Sequence, residues 1–97
     1  MATYILLANY TEQGIKGIKD TVKRTESVKD LAKKAGCTMK ESYWTLGAYD
    51  VVAVFEAADD ETMTAFSLSV AKLGNVKTQT LRAFSSKDMG GILAKLV

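Results

Sequence analysis

Residues 49–57, YDVVAVFEA, form a near-continuous apolar run just long enough for one strand. Successive strand side chains point to opposite faces of a sheet, so a run without alternation needs cover on both sides. Such a strand is central, and the remainder of the chain must supply two covers for it. That requirement limits the folds available to 97 residues, because a domain of this size buries only about 60–65% of the surface its unfolded chain exposes. Association with further copies is the natural source of the missing burial.

The flanking segments supply further strands and helices. TYILLANYT (3–11) is β-branched and aromatic, and Thr11 offers an N-cap to a helix beginning at Glu12. Ile15, Ile18 and Val22 make one apolar stripe; Val28, Leu31, Ala32 and Ala35 make a second. At 100° per residue the two stripes do not share a face, which predicts a break near Thr21 to Thr25, with one of these threonines recapping a segment that stops at Gly36. CTMKESYWTLG (37–47) is a strand in which Met39, Glu41, Tyr43 and Thr45 alternate with Lys40, Ser42, Trp44 and Leu46, and neither set is plainly the wet one. After a turn at Gly47 and Ala48 comes the central strand. ADDETMTAFSLSVAKLG (58–74) opens on acids, where a helix dipole favours them, and carries Met63, Phe66, Val70 and Leu73 at helical spacing. NVKTQTLRAF (75–84) is a fourth strand, and SKDMGGILAKLV (86–97) is a weak helix or an apolar arm.

The order β-α-β-β-α-β over residues 1–97 is that of a single α+β, ferredoxin-like domain, with an antiparallel four-stranded sheet and both helices on one face. Its other face carries apolar side chains, so a second copy is expected to cover it as a dimeric α+β barrel, with GGILAKLV reaching across. A homodimer or larger homo-oligomer is thus the expected assembly.

Composition narrows the chemistry. The chain has no histidine and one cysteine, Cys37. The commonest metal ligand and the commonest neutral-pH base are both missing, as is any internal disulfide. No metal cluster, phosphate loop or cofactor motif is present. The opening apolar stretch is too short for a signal peptide or a membrane span, which points to a cytoplasmic protein. A net charge of +2 is too small to signal nucleic acid, and the lysines at 16, 19, 23, 33 and 34 have no interleaved aromatics. They read as a solvated face.

YWTLGAYDVVAVFEAADDE (43–61) together with NVKTQTLRAF resembles the GYD-domain family, small prokaryotic proteins of this length grouped with dimeric α+β barrels. The resemblance covers nearly the whole chain. It implies that Gly47, Tyr49 and Asp50 are the signature residues, with Ala48 inserted between the first two. YTEQGIKGIKD and KRTES are similar to the family's first helix region, with its glycine at Gly14 and its basic residue at Arg24. The resemblance implies the barrel fold and no agreed biochemical role. Related barrels include cofactor-independent monooxygenases, isomerases and haem enzymes, so fold alone does not choose among them.

Two regions are candidate sites. Asp50 lies at the mouth of the central hairpin beside Tyr49 and near Tyr43 and Trp44. It serves either as a hydrogen-bond acceptor for turn amides or as a general base, with Tyr43 or Tyr49 donating to an oxyanion. Arg24, at the expected helix break, either pairs with Asp50 or anchors an anionic ligand. Trp44 and Gly47 join the ligand-binding set, although core packing and a turn are their simpler roles. A small-molecule-binding or sensing module without catalysis is the first functional reading. A cofactor-independent enzyme acting on an enolisable, anionic or aromatic substrate is the second, and a structural partner docking through its acidic 48–61 stretch is the third.

Overall fold

The computed structural model describes residues 1–97. Strand β1 (Ala2–Tyr10) leads into helix α1 (Glu12–Lys16), a 3-10 turn (Ile18–Asp20) and helix α2 (Thr21–Lys34). Strands β2 (Thr38–Trp44) and β3 (Val51–Ala57), helix α3 (Asp60–Ala71), strand β4 (Val76–Ala83) and helix α4 (Ser86–Leu93) complete the chain. The sheet runs β2-β3-β1-β4 with every neighbouring pair antiparallel. This is the ferredoxin-like α+β fold, with the apolar run at 51–57 in an inner strand. No helix is long and apolar enough to cross a membrane.

Strand parity sorts the side chains. Tyr4, Leu6 and Ala8 of β1 and Ala53, Phe55 and Ala57 of β3 are buried with Ala32, Cys37, Met63, Phe66 and Val70 in the single core. The Phe55 and Phe66 rings meet with centroids 5.0 Å apart, an aromatic pair that locks α3 to β3. The opposite parity, with Ile5, Leu7, Val52 and Val54, faces away from the helices and is only half-buried. Leu81 of β4, paired with Ile5, extends that apolar strip and is 39% exposed.

Strand β2 resolves the ambiguity in its sequence by a bulge. Met39 pairs with Phe55 and Glu41 with Val54, so Lys40 is the extra residue and the alternation reverses at it. Met39, Ser42 and Trp44 therefore share the helix-facing parity, while Glu41 and Tyr43 stand on the bare face. A uniform alternation, as the sequence suggested, would have put Met39 with Tyr43.

The helix break also differs from expectation. It falls at Gly17–Asp20, one turn before Thr21, and α2 begins at Thr21. Its cause lies in how α1 docks. The Thr11 side chain caps α1 by accepting from Gly14 N, the Thr11 amide donates to Asn75 O at 3.0 Å, and Gln13 reaches Leu73 O and the Asn75 side chain. Buried Gly14 sits so close to this loop that an added Cβ would lie 2.0 Å from Asn75 O. Polar backbone docking thus replaces side-chain packing, and the first apolar stripe is not core: Ile15 is 54% and Val22 60% exposed. The second stripe does pack, with Val28, Leu31 and Ala35 against the core and Ala32 within it.

After β4 the chain leaves the domain. Ser85 caps α4 in a reciprocal capping box with Asp88, yet every residue from Phe84 to Val97 is exposed. The radius of gyration, 14.5 Å, exceeds the roughly 12.5 Å typical of this length, as a projecting arm requires.

Candidate functional site

The helix-facing side of the sheet does not close completely. Ala8 and Ala53 place minimal side chains on adjacent inner strands, and the space above them is roofed by α2 through Arg24, Thr25, Val28 and Leu31. The resulting cavity is about 150 Å³. Its floor and far wall are apolar, with Leu6, Met39, Val51, Phe55, Val70, Leu73 and Val76, and its polar atoms gather on the α2 side and at the strand ends: Tyr10, Thr21, Arg24, Thr25, Ser27, Ser42 and Asn75.

Several of these polar groups are already linked. Tyr10 OH and Thr21 Oγ1 lie 2.7 Å apart, Trp44 Nε1 donates to Thr21 Oγ1 at 3.1 Å, and Thr25 Oγ1 donates to Thr21 O at 3.0 Å. Arg24 differs. Its Nη2 donates to Gly14 O at 3.0 Å, and the guanidinium carbon lies 6.0 Å from the Tyr10 ring centroid. The two ion pairs of the chain, Lys16–Glu12 and Lys40–Glu56, leave Arg24 without a carboxylate. The chain thus sets a cation beside an apolar cavity and gives it no counter-ion.

Arg24 and Asp50 are not brought together. Asp50 Oδ2 accepts from the Tyr10 amide at 2.9 Å, while its own backbone donates to Ala8 O and accepts from Thr45 N, each at 2.9 Å. It fastens the 45–50 loop to the end of β1, serving a neighbouring strand's amide and not those of its own turn. Asn9 Nδ2 adds a bond to Ala48 O at 2.8 Å, and Tyr49 OH donates to Gln79 Oε1 of β4 at 3.1 Å. Gly47 takes φ +108°, a conformation other residues resist, with open space around it. Gly47, Tyr49 and Asp50 thus lie in a loop bound to β1 and β4, and none of them lines the cavity.

Tyr43 also stands apart. Its hydroxyl donates to Glu41 Oε2 at 2.9 Å on the bare sheet face, and this hydrogen bond raises the phenol above its ordinary pKa. Trp44 touches the cavity region only through Thr21. Cys37 is buried and burial pushes its thiol up, which disfavours the thiolate. No three His, Cys, Asp or Glu side chains are placed to hold a metal ion. The polar cavity members that the sequence does not single out as site residues, Tyr10, Ser27, Ser42 and Asn75, lie on α2, at strand ends or beside the bulge. Tyr10 alone carried a signal, through its shared parity with Leu6 and Ala8.

At the opposite end of the sheet, Tyr4 OH donates to Asp60 Oδ1 at 2.5 Å and Arg82 stacks over the Tyr4 ring at 5.5 Å. Burial, reinforced by Asp60, pushes the Tyr4 phenol up to about 12. Asp59 caps α3 by accepting from the Thr62 hydroxyl and amide, which holds its carboxyl below the usual range.

The ferredoxin-like α+β domain defined by this sheet is the class to which comparison with known proteins also assigns the chain. The GYD domain matches residues 4–93, and the protein belongs to that family. It is 34% identical over 90 residues to a Thermus thermophilus protein named glutamine synthetase and cystathionine beta-lyase binding protein, covering 92% of this chain and 95% of that one. Among solved structures, FFRP-DM1 superposes with a TM-score of 0.64 at 20% identity, covering 87% of this chain and 100% of that one. TTHA0845, also from Thermus thermophilus, superposes with a TM-score of 0.58 at 23% identity, covering 89% and 96%. These two likenesses are of fold.

Proposed function

We propose that the protein is an accessory binding module of the dimeric α+β barrel type. A second copy closes over the bare sheet face, the apolar surface left on α1, α2 and the arm engages partner proteins, and the cavity beneath α2 takes a small molecule. The observation that carries this reading is the half-exposed apolar strip of Ile5, Leu7, Val52, Val54 and Leu81 on the sheet face turned away from the helices. Burying such a strip is favourable by about 25 cal/mol per Å², and a patch of this kind marks an interface. The relative named for binding two enzymes supports an adaptor role and makes glutamine synthetase and cystathionine β-lyase the first partners to try. The single, buried, unpaired Cys37 accords with a reducing cytoplasm.

A turnover reading built on Asp50 has no comparable support, since its carboxylate serves the Tyr10 amide outside the cavity. The test is light scattering on the purified chain, alone and mixed with glutamine synthetase from the same source. The expected mass at micromolar concentration is an even multiple of 10.5 kDa that rises on mixing. A monomer at that concentration rules out the barrel, and an unchanged profile in the mixture removes this enzyme as a partner.

A further inference from the structure

Resting on the small-molecule part of that reading, the geometry points to one ligand class: a small amphiphilic monocarboxylate, with an apolar body of about five or six carbons in the cavity and its carboxylate on Arg24. The size follows from the volume, because a dry, apolar protein cavity of about 150 Å³ accommodates a benzene-sized body, and this one is about 150 Å³. The walls specify an apolar body. Leu6, Val28, Leu31 and Phe55 offer no hydrogen bonds, so a polar ligand interior would lose its hydration without replacement.

The charge follows from Arg24. A guanidinium has five N–H donors in a planar fork, and here the protein uses one of them, on Gly14 O. Holding a backbone carbonyl accounts for that single bond and leaves the rest of the fork at the cavity edge. A carboxylate matches the fork with two parallel hydrogen bonds. A cationic ligand head would meet like charge, and a neutral hydroxyl would use only one donor. Thr21 and Thr25 contribute little anion binding, because their hydroxyls are spent on Tyr10, Trp44 and a backbone carbonyl.

Hexanoate, 1-hexanol and hexylamine test this by calorimetric titration of the whole protein. Trp44, the chain's one tryptophan, gives a second readout through its bond to Thr21. Hexanoate is expected to bind with Kd on the order of 1 mM or tighter, and ~10-fold or more tighter than hexanol, the value of one charge-assisted hydrogen bond. Arg24→Gln should remove that preference while hexanol binding persists, and Ala53→Leu should weaken both by filling the cavity. Because Arg24→Gln also loosens Gly14, Arg24→Lys serves as a second variant, keeping the charge without the fork and leaving a reduced preference. Equal binding of hexanoate and hexanol overturns the carboxylate assignment while sparing the cavity as a binding site. Tighter binding of hexylamine overturns it likewise. Binding of none of the three at 10-fold above the expected Kd overturns it together with the small-molecule reading.

Discussion

The two faces of strands β1 and β3 are built from similar residues and meet different fates. On one face Tyr4, Leu6, Ala53 and Phe55 are buried beneath α2 and α3; on the other Ile5, Leu7, Val52 and Val54 stay half-exposed. Hydropathy does not distinguish the faces, whereas connectivity does: both crossover helices return over the same side. A chain that makes both sides apolar and covers one leaves the other as the face through which the proposed dimer would form. The two faces should therefore answer mutation differently, one through folding and the other through concentration.

The largest effect belongs to the covered face. Phe55→Ala removes a fully buried ring and its partner contact with Phe66, and should cost about 3–5 kcal/mol by urea unfolding, by the same amount at low and high protein concentration. Gly14→Ala comes next, at about 2–3 kcal/mol, because the new methyl displaces the Asn75 carbonyl and with it the α1 docking site. A wild-type-like melting curve for this variant would show that the loop yields freely.

The uncovered face should behave otherwise. Val54→Asp leaves the buried core intact and is expected to cost under about 1 kcal/mol in dilute solution, while abolishing any rise of Tm with protein concentration. If wild type and Val54→Asp melt identically at 1 μM and 100-fold above it, the contrast between the faces collapses.

Two pH effects lie at the covered face's margins. Tyr4 titrates near 10 when unfolded and about 12 when folded, so its contribution is complete below pH 10 and is lost as pH rises toward 12. Tyr4→Phe should lack this alkaline loss. Asp59 has the opposite sign: its folded carboxyl is held low, so its cap stabilises at neutral pH and is lost as pH falls through and below the ordinary carboxylate range. Asp59→Asn should flatten the acid limb of the stability curve, and an unaltered limb would assign that limb to other carboxylates.

Much of this architecture was legible in the residues. The run at 51–57, the Thr11 cap and the spacing of Met63, Phe66 and Val70 are local signals, and local signals give element order. The order in turn gives the ferredoxin-like sheet. What escaped depended on contacts distant in sequence. The break before Thr21 is set by Gly14 meeting Asn75, some sixty positions away. The bulge at Lys40 is defined only against β3, and it decides which side Met39, Tyr43 and Trp44 take. The cavity was illegible for the same reason, being a shortage of side-chain volume where Ala8 and Ala53 come together beneath α2. The charge of Arg24 is plain in the sequence, but its place within the first turn of α2 depends on the shifted break.

The bulge at Lys40 has a consequence for how association ends. Strand β2 is an outer strand, and an outer strand with an even ladder invites any passing strand to prolong the sheet. Lys40 interrupts the ladder and carries a charge held toward Glu56 at 3.5 Å. A crowded solution of these molecules thus meets a poor template along β2. In the proposed dimer the flat of the sheet is the contact instead, and a self-matching surface of that kind saturates after one encounter.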